Sequence, residues 1–461
     1  MASDAASSAA LEPGEAGSSG AAAPLLLADH QPGRRVLQPD VHHPAPARWT
    51  VVRTAAAAAL ALLGSARALD LSDLDLAVRI WTAPEASRSN QDSPFAPAAR
   101  LAGLGGERGR GEADLRVRHG GLGAEMSARS TARRGEELRT SGLVNELFYE
   151  ADLLGQHFTI GKKVASWDVG FGLRPLDVVQ QADRRALHPF ALEGVPLVTW
   201  ELFGESWAVT LLYANPLRGR APAPRDDESV ALHYYQRLGS ADLHAVGRYS
   251  RRTRLQAGAS TAVVLGDALE LHASSRYQRH GERFAMPASL AGGAPLAASE
   301  PRATTASADV LAALLGFTLT PGLGLSVVGE AWLDPAGGTA GEWSALGALA
   351  ERQRALLGDP AVPSAAVLAN LAWELRAFDR PSLLRENLFL RVSWKKDRFE
   401  PTADVLYTPA DGGFVATAAV AYQGERTRLD GGLRLFGGRA GSAYRLFPES
   451  AILYAALQVF F

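Results

Sequence analysis

The sequence predicts an all-β protein: an antiparallel transmembrane β-barrel of about 18 strands, with 16 as the alternative count, carrying a short helical pair in one long extracellular loop. Three observations lead there. Apolar and polar residues alternate through most of the chain after Ala68, the chain closes on the apolar strip AILYAALQVFF at 451–461, and a leader of secretory pattern precedes the alternation.

Residues 1–50 read as a disordered extension, rich in Ala, Ser, Gly and Pro with little that forms a core. An initiation site near Val51 or Val52 would account for it. Arg48 and Arg53 precede an apolar run from Thr54 to Gly64, and Ala66-Arg67-Ala68 supplies a small-residue cleavage pattern. This is the layout of a signal peptide over 51–68, cut after Ala68 and leaving 69–461 as the barrel. The apolar run is well short of the roughly 20 residues a spanning helix needs.

The 47 Lys and Arg nearly balance the 49 Asp and Glu, so there is no global basic field for nucleic acid. Cysteine is absent, which excludes disulfides, thiolate metal sites and cysteine nucleophiles. No H-E-x-x-H, G-x-S-x-G or Walker A motif occurs, and the histidines do not cluster at ligand spacing. The expectation is a protein that is not an enzyme and holds neither metal nor cofactor.

The alternation has period two. Trp207, Val209, Leu211 and Tyr213 share one face of SWAVTLLYANP, and Leu388, Leu390, Val392 and Trp394 share one face of NLFLRVSW. Leu74, Leu76, Val78 and Ile80 repeat the pattern, as do Ala416, Ala418, Val420 and Tyr422. The opposite face carries Arg79, Arg116, Arg118, Arg248, Glu270, His272, Arg276, Arg391 and Arg434, charges too costly for a dry core. A soluble sandwich with a packed interior and a membrane barrel both accept one-sided strands; the aromatic ends of the apolar strips, the secretory leader and the closing strip favour the barrel, which holds water inside. Those nine residues are therefore candidates to line a pore. Trp207 and Tyr213 lie about 20 Å apart along one strand, which suits the two aromatic girdles of such a barrel.

The terminal strip sets Leu453, Ala455, Leu457, Val459 and Phe461 on one face, with Tyr454 and Gln458 on the other. It resembles the C-terminal strand of bacterial outer-membrane barrels. The resemblance implies a multi-pass barrel in the outer membrane, with lipid against its apolar face. It also implies that Tyr454, Leu457, Val459 and Phe461 are read by the barrel-assembly machinery.

Gaps rich in Pro, Gly or charge occur at 82–111, 166–195, 216–227, 279–306, 334–385 and 437–449, with short turns between them. Within 334–385, EWSALGALAERQRALLG reads as a helix ending near Gly358, and residues 363–378 place Val367, Leu371, Leu375 and Phe378 on one helical face. Counting both as helices gives an even strand number; Arg376 would face a lumen only were its segment a strand. The stretch 161–196 gathers Lys162, Lys163, Asp168, Arg174, Asp177, Asp183, Arg184 and Arg185 among glycines and prolines. It is similar in position and composition to the loop that folds into the pore of general porins. That likeness implies a constriction in which opposed Arg and Asp screen solutes; a solvated surface loop holding its own salt bridges is the other reading.

These features point to passive diffusion of small hydrophilic solutes, with a weak anion preference that strengthens in acid through His233, His244 and His272. A substrate-specific transporter or exporter of an acidic polysaccharide, and a barrel enzyme or surface protein without channel activity, are the alternatives. The leader carries its own test: N-terminal sequencing of the envelope-associated protein is expected to read from Leu69, and an intact leader would contradict it.

Overall fold

The computed structural model describes residues 74–182, 186–216, 227–284, 290, 293–300 and 304–461. The leader and the expected cleavage site lie outside the described residues. Eighteen antiparallel strands form one closed sheet. They are β1 (Asp75–Ser89), β2 (Glu107–His119), β3 (Leu122–Arg133), β4 (Arg139–Leu153), β5 (Gln156–Lys163), β6 (Val195–Phe203), β7 (Trp207–Ala214), β8 (Ser229–Leu238) and β9 (Ala241–Ser250). The second half holds β10 (Arg254–Leu265), β11 (Leu269–Phe284), β12 (Thr304–Gly322), β13 (Leu325–Leu333), β14 (Glu386–Trp394), β15 (Phe399–Thr408), β16 (Gly413–Gln423), β17 (Thr427–Gly437) and β18 (Glu449–Phe460). Each strand pairs with its sequence neighbours, and β1 pairs with both β2 and β18. Among the described residues no helix is long and apolar enough to cross a membrane.

The even-to-odd connections are all short turns, whereas every long segment joins an odd strand to the next even one. Both chain ends of the barrel therefore lie at the short-turn end. Turn chemistry follows the sequence: Gly120-Gly121 and Leu154-Gly155 hold positive φ at both positions (52° and 84°, 54° and 74°), the primed geometry that matches strand twist. Gly123 faces Phe148 across β3 and β4, and a Cβ there would come within 2.4 Å of the ring. The glycine makes room for an inward aromatic.

Alternation sorts the faces. Leu388, Leu390, Val392 and Trp394 are exposed on the outside of β14, while Asn387, Phe389 and Arg391 point inward. Similar outward rows of Leu, Val and Ile recur around the sheet. Phe203, Trp394, Phe399 and Phe461 stand exposed toward the short-turn end, Tyr249 and Tyr407 toward the other.

The strands outrun the sequence reading in the gaps expected at 82–111 and 279–306, where β2 begins at Glu107, β11 runs on to Phe284 and β12 begins at Thr304. The gap expected from position 82 begins only after Ser89, because β1 continues through Pro84. Pairing to β2 includes Pro84, but the register on the β18 side passes from Thr82–Leu457 to Glu85–Tyr454. A residue without an N–H is tolerated where one neighbour asks nothing of it. The helical pair is present as α2 (Ala340–Ala355) and α3 (Ser364–Glu374), after a short α1 (Ala96–Leu101) and before a four-residue α4 (Ala443–Leu446). Thr339 and Glu342 cap α2 reciprocally at 3.2 and 2.8 Å. Arg376 falls in a 3₁₀ turn (Leu375–Asp379), so it is not a strand residue; it pairs with Glu300.

Three long segments meet at the mouth. Phe95, Ala98 and Ala99 from the β1–β2 segment, Trp343, Leu346, Val367, Leu371 and Phe378 from the β13–β14 segment, and Tyr444 and Leu446 from the β17–β18 segment form one buried cluster. Asn90 donates to the carbonyls of Arg445 and Phe447 at 2.8 and 2.9 Å, tying the first segment to the last.

The seam generates a prediction. Phe461 donates its N–H to the Val78 carbonyl at 2.9 Å and accepts from the Val78 N–H at 3.2 Å. Deleting Phe461 removes two hydrogen bonds of about 0.5–1.5 kcal/mol each, more where lipid offers no replacement. A lower fraction of heat-modifiable folded barrel on gels, and a lower unfolding temperature, are expected. Wild-type values for both would show that the seam does not need its last residue.

Candidate functional site in the lumen

The inward wall is a network of paired charges. Arg79 on β1 binds Asp114 on β2 at 2.7 Å and approaches Glu112 at 3.6 Å. Glu85 sits between Arg108 and Arg110 at 2.6 and 2.5 Å, and Arg108 also reaches Glu449 on β18 at 2.9 Å. Arg116 meets Glu125, and Arg428 meets Glu400 at 3.4 Å. Directly opposed strands bring such pairs together because inward side chains two residues apart along one strand face inward side chains of the next.

The segment between β5 and β6 leaves this wall and crosses to the far side. Glu330 on β13 accepts from the N–H groups of Phe171 and Gly172, both at 2.6 Å, and from His272 Nε2 at 3.0 Å. A Cβ on Gly172 would lie 2.8 Å from the Trp332 ring, so only glycine permits this approach. Phe171 stacks on Phe389, with the Arg391 guanidinium 5.5 Å from its ring centre. Leu173 packs with Leu314 and Trp332. Arg276 donates to the Pro175 carbonyl at 3.1 Å, and Leu176, Val178 and Val179 bury against Leu197, Leu212, Ala231 and Val246. The chain then returns across the lumen: His188 bonds Asp430 on β17 at 2.8 Å, Phe190 packs on Trp81, and the Ala191 N–H bonds Glu112 at 2.8 Å.

Several charges singled out in the sequence are used differently from the expectation. Asp168 and Asp177 do not face arginines across open water. Asp168 accepts from the N–H groups of Leu176 and Val169 and from Ser274 Oγ, and Asp177 accepts from the N–H groups of Trp167 and Asp168 and from Ser166 Oγ. Both carboxylates are buried and fold the segment on itself, as Asx turns do. Arg174 is turned back onto Gly170 and Ser166 and pairs with Asp177 at 3.4 Å, a salt bridge held within the segment itself. Lys162 shares the outward face of Ile160 and bonds Glu193 at 2.6 Å; Lys163 faces inward, bonded to Glu150 at 2.6 Å and lying over Phe148. Asp183, Arg184 and Arg185 lie outside the described residues.

Of the wall candidates, Arg248 is almost fully buried under the β9–β10 turn, held by Gln256, Thr253 and Asp227. It is a fixed structural cation and does not line open space. Arg434 donates to Thr417 at 3.1 Å, and Arg118 lies over the Phe148 ring. Glu270 stands 3.4 Å from His272 Nδ1. Among the described residues, no carboxylate lies within salt-bridge distance of Arg118, Arg276 or Arg391. His233 and His244 are neighbours on β8 and β9: their nitrogens are 3.0 Å apart, with the rings only 12° from parallel. One nitrogen must accept, so the bonded pair carries at most one positive charge. No set of three metal-binding side chains occurs among the described residues.

Sequence reading missed Glu330, Glu112 and His188. Alternation does put Glu330 inward beside Trp332, and Glu112 inward beside Asp114. What was missing is the partner, since a backbone N–H leaves no residue signature.

A closed sheet, apolar outside and charged within, is the geometry of a barrel that crosses a membrane with its strands. The sequence matches no protein-family model and no curated protein at a significant level. Solved structures with a similar fold include Acinetobacter baumannii OccAB1, at 8% identity over 85% of this chain and 97% of that one, with a TM-score of 0.49. Pseudomonas aeruginosa OccK5 (OpdH) is 8% identical over 85% and 98%, with a TM-score of 0.47. A mutant of the Rh. blastica porin is 11% identical over 84% and 100%, with a TM-score of 0.41.

Glu330 is the contact to test. Glu330→Gln replaces one accepting oxygen with a donor facing an N–H group, at a cost of about 1.5–3 kcal/mol for a charge-assisted bond. Amide exchange at Phe171 and Gly172 is expected to accelerate by about 10- to 100-fold, since 1.4 kcal/mol is tenfold. Unchanged exchange would mean that the packing of Leu173 and Leu176 alone holds the segment.

Proposed function

We propose that this protein is a channel of the bacterial outer membrane through which small hydrophilic solutes diffuse passively. The observation that carries this reading is a closed 18-strand barrel whose inward face bears paired charges and whose β5–β6 segment crosses the lumen. A barrel of this strand number encloses more space than its wall side chains fill. The crossing segment, held at Glu330 and at Asp430, acts as the constriction.

The same reading includes export by a signal peptide cut after Ala68. Insertion follows from recognition of Leu457, Val459 and Phe461 on the outward face of β18, with Tyr454 on its inward face. Tyr454 also packs edge-on against His188, so it serves the lumen as well as the strand.

Selectivity is weakly anionic. Among the described residues, Arg118, Arg276 and Arg391 have no carboxylate within 4 Å, and Arg391 borders the exposed ring of Phe171. The bias stays small because Arg79, Arg116 and Arg248 are neutralised by Asp114, Glu125 and Asp227. The in-line bond between His233 and His244 limits what acid adds.

Purified protein in a planar bilayer is expected to pass ohmic current. In a salt gradient the reversal potential should show slight anion preference, and Arg391→Glu should move it toward cations. An absence of current would refute the channel, and clear cation preference in the unaltered protein would refute the selectivity.

A further inference from the structure

We propose that the cluster of long segments at the barrel mouth is a proton-controlled lid, closed by one proton shared between Glu374 on α3 and Gln353 on α2. The two helices pack on one another, with Leu346, Leu349, Ala350, Val367 and Leu371 all buried. Where the C-terminal turns of the two helices meet, Gln353 Nε2 donates to Glu374 Oε1 at 2.9 Å. The other two oxygens, Gln353 Oε1 and Glu374 Oε2, are buried and have no hydrogen-bond partner.

Two acceptors left over from one amide–carboxyl contact are explained by a single hydrogen. A proton on Glu374 Oε2 turns the carboxylate into a carboxylic acid, which donates to the amide oxygen while accepting from the amide nitrogen. The result is a closed ring of two hydrogen bonds, with every polar atom of the pair satisfied. Without that proton the helix contact holds a buried negative charge facing an amide oxygen, which is costly in apolar surroundings.

Nothing charged compensates. On α2, Arg354 is engaged with Glu351 at 3.5 Å and with the Ser93 carbonyl. On the 3₁₀ turn that follows α3, Arg376 is paired with Glu300. The α1 helix offers Arg100, bonded to its own Ala96 carbonyl, and the irregular segment 293–300 touches α3 through Ala297 and Asn370. No Lys or Arg lies within 4 Å of Glu374 among the described residues. Burial therefore raises its pKa from 4.5 to about 7, despite the opposing hydrogen bond from Gln353.

The sign follows from linkage. A carboxyl whose pKa is higher in the closed lid than in the opened one stabilises closure fully below about 4.5, and that stabilisation is lost as pH rises through about 7. The lid reaches the lumen, because Trp332 on β13, which packs against Leu173 of the crossing segment, also bonds Ser382 just after the 3₁₀ turn at 3.2 Å. Acid closes the mouth and alkali loosens it.

Amide exchange of α2 and α3 in the whole purified barrel, corrected for intrinsic chemistry, tests this without depending on channel activity. Protection is expected to fall at least tenfold between pH 6 and pH 8.5 in the unaltered protein. In Glu374→Gln, where an amide pair reproduces the two-bond ring without a proton, protection should stay high at both values. An infrared carbonyl band from a protonated carboxyl should titrate over the same range and be absent from the variant. Flat protection in the unaltered protein, or a step that persists in Glu374→Gln, would overturn the proposal. If the channel reading holds, current rises over the same pH range in the unaltered protein only; absence of any current would count against the channel and leave the exchange result to decide the lid.

Discussion

Closure of the sheet is the constraint from which the rest follows. In lipid an unpaired backbone N–H or carbonyl has no solvent to satisfy it, so a sheet there has either no edge or a prohibitive one. The β1–β18 seam removes the edge, from Val78 with Phe461 at the short-turn end to Ser89 with Glu449 at the other. Once the sheet is closed, the alternation of side chains has only two destinations, and each strand must send its apolar set to the same one.

Closure also explains the charges. Removing lipid from one face leaves that face to water, and arginine and glutamate on adjoining strands then find each other at fixed register. Arg79 with Asp114 and Arg116 with Glu125 are such pairs. Surface pairs of this kind contribute little to stability. Their consequence is electrical: they cancel much of the field that a bare count of arginines would suggest.

Two segments turn inward by the same chemical device, a buried carboxylate with a limited set of donors, yet with different outcomes. Glu330 meets two backbone N–H groups and His272, and these bonds fix the crossing segment. Glu374 meets one amide and apolar carbon, which favours the neutral form. One arrangement is built to stay, the other to respond. The mouth cluster and the crossing segment touch near Trp332, so a change in the first reaches the second through packed side chains.

The sequence by itself determined the sheet and the helical pair and favoured 18 strands over 16, because these rest on local periodicity and on the alternation of long and short connections: period two in NLFLRVSW, short turns such as DLLG, and the 363–378 face of Val367, Leu371, Leu375 and Phe378. The tertiary structure alone decided what the charged residues do. Asp168 and Asp177 were visible as charges, but their partners are main-chain N–H groups a few residues away in a fold that periodicity does not encode. Glu330 and His188 bind groups 158 and 242 positions distant, and Gln353 and Glu374 meet only when two helices pack. Contacts of that span depend on where closure places each strand in space, and no local pattern records it.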